Sequence, residues 1–484
     1  MKAMLIDALH MRAIQKCLGA ITSENVGASV HSISSKKAKE VIHGISDATL
    51  YRPTQIPSLA LTLKRYAELG SDLRIQAKLK SSILKYFFAQ LEKGEIFPSK
   101  ANIMHLILHM RLCGMISSAD ITSILSEKFK KRKYSNILFV WLFCLHALAI
   151  SEVDPRFCSM YQRFCEDIIK KCFIPEPFKN FFDNINFFKE NEWYNLKLVL
   201  MNQQPTDSIE TALQRDDVDS LQQFSTLPTF KFDMLISPSI FACSPFIQNS
   251  PTMLEYASFF GSIQCFKFLW LNSSASILNR KETIESLTKY AIAGGNVQIV
   301  RFITSAGGNF RTSLPIAVQF HRNDLLAWIR ENELGRLPED HPFISHAIEI
   351  AAKYNNIHAL SYFQERSSGV RPFEKAIHAA SQSNSLESAK FLLSIQGIDY
   401  QTKDDVGMTP LHYAVANGSK DLVKLFLMFD NIDIYAKDDT GDTPISLASY
   451  NGRPDIQQLL KAAECKTTKK TAIQQRMLYN NDDN

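Results

Sequence analysis

Apolar residues recur at three- and four-residue spacing along most of the chain, and that spacing predicts helices. From about Pro57 to Met201 the pattern gives long segments: Leu73 to Lys93, Ala101 to Leu112, Ala119 to Phe129, Ser135 to Ile150 and Arg156 to Phe173. Breaks at Gly94-Glu95-Ile96-Phe97-Pro98, Ser117-Ser118, Asp154-Pro155 and Pro175-Glu176-Pro177 separate them. An all-helical domain of antiparallel hairpins is therefore expected over residues 51–206. Its most apolar stretch runs from Ile137 to Ile150 and contains His146. That run is shorter than the roughly 20 residues a bilayer requires, so it reads as a buried core helix with no membrane span. Residues 1–50 are small and polar, Ser-rich from Thr22 to Ser35, and are expected to be loosely ordered apart from a helix near the start.

Further along, the pattern changes to short helices in pairs. The clearest pair lies in Gly407-Met408-Thr409-Pro410-Leu411-His412-Tyr413-Ala414-Val415-Ala416-Asn417-Gly418, followed by Asp421-Leu422-Val423-Lys424-Leu425-Phe426-Leu427. Thr409 suits an N-cap, with its hydroxyl placed to accept from a free N–H. Pro410 fits the first helical position, where its missing donor costs nothing. Leu411 and Ala414 share one face, and Ala is small enough to admit a second helix. Gly418 suits the left-handed residue that ends a helix. The motif then returns in register as Gly441-Asp442-Thr443-Pro444-Ile445-Ser446-Leu447-Ala448-Ser449-Tyr450-Asn451-Gly452.

This periodic Thr-Pro motif resembles the ankyrin repeat. Aligning the small helix residue extends the series backwards through Ala380, Ala352, Ala317, Ala291 and Ala257, with Ala212 as its beginning. The fold implied is an all-α solenoid of about seven to eight helix pairs with short fingers over residues 207–463, preceded by the helical domain. Pro228 to Pro251 would form an enlarged connection. Ile209 to about Asn272 also resembles an ankyrin-related domain of uncharacterised role, abundant in protist ankyrin proteins. That likeness rests on Asp216-Asp217-Val218-Asp219 and on Leu254 to Leu269. The array needs a polar end, and Gln457 and Lys461 supply it: they stand one repeat after Val423 and Leu427, the apolar positions that would face a next repeat. The tail over 464–484 is polar and expected to fray.

The resemblance implies a surface that binds other proteins along the concave side, through finger tips and first helices. The corresponding positions here are Phe259, Phe260, Phe320, Tyr354, Asn355, Asn417, Tyr450 and Asn451, with Asp405, Met408 and Asp442 from the fingers. For Phe259, Phe260 and Phe320 the alternative is packing under a loop or against the N-terminal domain. Tyr354 and Tyr450 are expected to be exposed.

Composition narrows the function classes. Of 484 residues 45% are hydrophobic and 21% charged, the balance of a chain that buries a core. A net charge of +5 is mild for this length and points to neither nucleic acid nor membrane. Nine cysteines without a Cys-x-x-Cys pair fit a reducing compartment, so the cytoplasm or nucleus is expected. No phosphate-binding loop, Gly-x-Ser-x-Gly elbow or dinucleotide fingerprint is present, so no catalytic or cofactor-binding residue is assigned. His105 and His109 have metal-ligand spacing but lack the glutamate of a metalloprotease motif, and no metal site is assigned to them. Cys158, Cys165 and Cys172 stand about 10.5 Å apart per step on a helix, too far to share a metal, and read as core fillers. Lys128 to Lys133 is the densest basic cluster, a solvated loop or a nuclear import signal. His412 is read as a structural residue that bonds locally around its turn. The functional expectation is a non-catalytic interaction scaffold; the alternative is a catalytic or nucleic-acid role carried by residues 51–200 and targeted by the array.

Overall fold

The computed structural model describes residues 56–68, 73–91, 99–131, 134–172, 176–200, 208–237, 244–273, 281–335, 341–367, 369–429 and 432–464, with single positions at 41–42, 44–46, 48 and 337. Regular structure among the described residues is helical, without a strand; one isolated bridge joins Leu235 and Thr252. The chain divides into two compact units, one reaching Glu333 and one starting at Leu334. The expected loose segment over 1–50 lies outside the described residues, except for 41, 42, 44–46 and 48, which are helical and buried. The tail over 465–484 also lies outside them.

The first unit begins with the helices Ile56–Ala67, Leu73–Gln90, Ser99–Leu112, Ser118–Lys131, Asn136–Val153, Pro155–Lys171, Glu176–Asp183 and Ile185–Leu200. Their core is Asn136–Val153, in which every residue from Leu138 to Ile150 is buried. The flanking helices Ser99–Leu112, Ser118–Lys131, Pro155–Lys171, Glu176–Asp183 and Ile185–Leu200 all pack on it. Each large apolar side chain buried this way contributes about 1.5–3 kcal/mol, so a helix apolar on every side belongs at the centre. By length and composition alone Asn136–Val153 could cross a membrane; here it is mostly enclosed by protein. Tyr161, Phe143, Phe139 and Phe129 form edge-to-face and tilted ring contacts around it. Cys158 and Cys165 fill that core as expected, while Cys172 lies beyond the helix end and is exposed.

Four helix pairs follow in the same unit: Ile209–Arg215 with Val218–Ser225, Met253–Phe260 with Ile263–Asn272, Lys281–Gly294 with Val297–Ser305, and Leu314–Gln319 with Asn323–Asn332. The second unit holds four more: Pro342–Lys353 with Ile357–Gln364, Arg371–Gln382 with Leu386–Ser394, Pro410–Ala416 with Lys420–Phe426, and Pro444–Tyr450 with a helix over 454–464. Within each unit first helices pack on first helices, and most second helices on second helices. Ala212, Ala257, Ala291, Ala317, Ala352, Ala380, Ala414 and Ala448 are all buried in the contact that their small size permits.

Polar side chains stitch one pair to the next. Asp216, with φ +56°, accepts from the N–H groups of Gln264 and Cys265 at 2.9 Å each, holding the start of the following second helix. Asn296 Nδ2 donates to the carbonyl of Gly261 at 2.8 Å. In His321-Arg322-Asn323-Asp324, Arg322 donates through Nε and Nη2 to the carbonyl of Ala293, at 2.9 and 2.6 Å. That run is a structural clasp between repeats.

Candidate partner-binding site

In the second unit, two successive finger turns are built by the same hydrogen bonds. The N–H of Asp404 donates to the carbonyl of Met408 at 3.0 Å, and that of Asp438 to Asp442 at 2.9 Å. Gly407 N–H closes on Asp404 O, and Gly441 N–H on Asp438 O, both at 3.0 Å. Inside each turn the aspartate carboxylate gathers backbone donors: Asp404 Oδ1 takes Val406 and Met408, and Asp438 Oδ1 takes Thr440 and Asp442. Tyr413 Oη donates to Asp404 Oδ2 at 2.5 Å. Burial pushes the Asp404 carboxyl up, but these hydrogen bonds outweigh it and hold the group below the usual carboxylate range. Asp438 balances the same way, with Thr440 and Asp442 as donors.

The fingers are tied to each other as well. Asp439 N–H donates to Val406 O at 3.2 Å, and Lys403 Nζ to Lys437 O at 2.6 Å. A Cβ on Gly407 would meet the Asp439 carboxylate and come within 2.7 Å of its backbone nitrogen, so only glycine lets adjacent fingers approach this closely.

Histidine supports each turn from beneath. His412 Nδ1 accepts from the Thr409 N–H at 3.1 Å and lies 2.8 Å from its hydroxyl. A ring nitrogen that accepts an amide N–H carries no proton, so the proton sits on Nε2, which donates to Asp442 O at 3.2 Å. The side chain is fully buried, and burial lowers its pKa, keeping the ring neutral. His378, one repeat earlier, places Nε2 3.3 Å from Met408 O and 3.0 Å from Thr402 O. Thr409 therefore pairs with the histidine ring, whereas Thr443 accepts from the Ser446 N–H as an ordinary cap.

The positions expected to meet a partner separate into three groups. Asp405, Tyr450 and Asn451 are exposed, Tyr450 to 90%. Phe260, Tyr354, Met408, Asn417 and Asp442 are half-buried. Of these, Asn417 Nδ2 donates to Gln382 O at 2.7 Å, and Asp442 accepts from Ser446 Oγ at 2.9 Å. Lys353 lies 5.8 Å from the ring of Tyr354, whose hydroxyl pKa is raised by burial, which departs from the exposure expected of it.

Phe259, Phe320 and Asn355 are corrections, because all three are buried. Phe246, in the short helix Pro245–Gln248 of the enlarged connection, covers both phenylalanines, with ring centroids 6.3 Å from Phe259 and 5.2 Å from Phe320. This is the packing under a loop that was the alternative for them. Asn355 sits at φ +56° and its Oδ1 accepts from the Ser388 N–H at 2.8 Å, another stitch between repeats. Sequence reasoning missed Val406, Asp439 and Thr440, which are exposed on the finger tips. The register that relates Gly407 to Gly441 also relates Asp405 to Asp439, and that signal would have found it.

A family model described as ankyrin repeats (3 copies) matches residues 377–471. These are ankyrin repeats. The match begins in the helix that carries His378 and covers both finger turns. Ankyrin repeats are protein–protein interaction modules, typically without catalytic activity. A comparison with curated proteins finds no match to the chain.

Proposed function

We propose that this protein is a non-catalytic adaptor that captures a partner protein on the exposed finger tips and first-helix ends of its C-terminal ankyrin repeats. The observation that carries this reading is the pair of finger turns. Each is held rigid by an internal aspartate and a histidine below, and each presents exposed side chains outward: Asp405 and Val406 on one, Asp439 and Thr440 on the next. A rigid platform loses little conformational entropy on binding, which favours affinity. Tyr450, on the terminal repeat, adds an aromatic of the kind that dominates interface energetics. His378 and His412, the histidines beneath the two finger turns, are occupied in backbone hydrogen bonds, which supports a structural role for them. The partner is met in the cytoplasm or nucleus, in keeping with the cysteine usage.

Affinity capture with the full-length chain tests this. A variant carrying Asp405→Arg, Val406→Asp and Asp439→Arg should keep its helical content and melting behaviour and lose partners that the parent retains. Partners retained in full by this variant would remove the fingers from the interface.

A further inference from the structure

At the centre of the helical part of the first unit, one titratable side chain interrupts the apolar helix. His146 is completely buried, and neither ring nitrogen has a hydrogen-bond partner among the described residues. Beside it lies the end of Ser99–Leu112. Arg111 Nη1 on that helix reaches Ser118 Oγ at 3.4 Å and Glu152 Oε2 at 3.7 Å, and Ser118 Oγ donates to the same carboxylate oxygen at 2.6 Å. Arg111, Ser118 and Glu152 thus fasten three helices together around His146. A buried imidazole tolerates this setting only while neutral, because a second positive charge next to the guanidinium would stand in low dielectric without a counter-ion.

We propose that His146 is an acid trigger: proton uptake at this side chain breaks the packing of Asn136–Val153 against Ser99–Leu112 and opens the apolar centre of the helical domain. The titratable groups that act on His146 are Arg111 and His105, both from Ser99–Leu112 and both opposing a positive charge. The other helices packed on Asn136–Val153, namely Ser118–Lys131, Pro155–Lys171, Glu176–Asp183 and Ile185–Leu200, present no described carboxylate that acts on it. Glu152, the nearest compensating charge on the same helix, is engaged by Arg111 and Ser118. Burial, then Arg111, then His105 lower the His146 pKa to about 3. His109, one turn from His105, is lowered to about 4 by burial.

The sign follows from these two depressed values. An opened domain takes up protons at an ordinary histidine pKa of about 6.5, whereas the closed one does not. The closed state is therefore fully stable above about pH 6.5 and weakens as pH falls, about tenfold per pH unit for each histidine that gains a proton on opening. Opening would expose the most apolar helix of the chain, so acid should convert a closed domain into one with a large apolar surface.

Hydrogen exchange of the full-length chain, corrected for the intrinsic pH dependence of exchange, resolves this segment by segment. Between pH 6.5 and 5, protection over 99–112 and 136–153 should fall by at least tenfold per pH unit, with binding of an apolar dye rising in parallel. His146→Leu should reduce that slope by one proton, and His346→Gln, at an exposed position of the second unit, should leave it unchanged. Protection that stays flat in the parent, or a slope that His146→Leu leaves intact, overturns the proposal. If His146→Leu does not fold, His109→Gln decides: a remaining slope of about one proton supports His146, and loss of the slope assigns it to His109 and overturns the proposal.

Discussion

The α-carbon of Gly418 faces the guanidinium of Arg453, and a Cβ built on Gly418 would lie 2.6 Å from Arg453 Cζ. Gly418 has φ +69°, and its N–H closes the end of Pro410–Ala416 on Val415 O at 2.9 Å. Two constraints therefore meet at one residue, and they differ in weight. Arg453 is exposed and can swing aside, whereas the backbone angle cannot change without undoing the helix end.

Gly418→Val is accordingly expected to destabilise the repeat by about 1–2 kcal/mol, chiefly through the left-handed backbone. Gly418→Asn should lose much less, since asparagine tolerates that conformation. Thermal midpoints of the two variants check this. Equal losses would mean that crowding against Arg453 outweighs the backbone angle.

His412 gives the ankyrin repeats a pH dependence of their own. Its folded pKa is lowered by burial, so its contribution is complete above the ordinary value of about 6.5 and is lost as the ring takes up a proton below it. Protonation also removes the acceptor at Nδ1 that the Thr409 N–H uses. Protection of amides in Pro410–Ala416 should hold above about pH 6.5 and fall from there towards about pH 5, and His412→Leu should flatten that profile. Loss of the bonds to Thr409 and Asp442 should itself cost about 1–3 kcal/mol.

The end of the array should be convertible into an adhesive surface. Val423 is buried, while its counterpart Gln457 is half-exposed and bonds Ser449 Oγ at 2.6 Å; Lys461 is exposed. Gln457→Val with Lys461→Leu places two apolar side chains on that end, and self-association is expected. Sedimentation of the double variant checks it; a monodisperse species would mean that this face is covered.

Tyr450 and Tyr354 occupy equivalent slots but are not equivalent residues. Tyr450→Ala should leave the thermal midpoint unchanged and weaken partner binding by about 1–3 kcal/mol. Tyr354→Ala should lower stability as well, because its ring is half-buried beside Lys353. Lys130→Ala, on an exposed face of the helical domain, serves as the contrast. Titration of the purified variants with a captured partner measures all three. Binding that survives the tyrosine changes and fails with Lys130→Ala would place the interface on the helical domain.

What the chain states locally, its sequence alone determined. The Thr-Pro starts, the positive-φ glycines at 407, 418, 441 and 452, and the eight buried alanines follow from steric rules acting within a few residues. The apolar run around Trp141 likewise had to be kept from water, because no face of that helix could meet it; that protein encloses it is a matter of the tertiary structure. Exposure at the candidate site was decided otherwise. Phe259 and Tyr450 stand in the same register after their alanines, yet one is buried and the other bare. Phe246 makes the difference: it comes from a connection that has no counterpart in the other repeats, and it covers Phe259 and, far along the chain, Phe320. Asn355 and Asn451 diverge for a similar reason, since Asn355 has the Ser388 N–H of a following repeat to cap and Asn451 is exposed at the last described repeat. A repeat motif specifies where a side chain starts; what packs over it is contributed by distant segments, and only the tertiary structure brings them together.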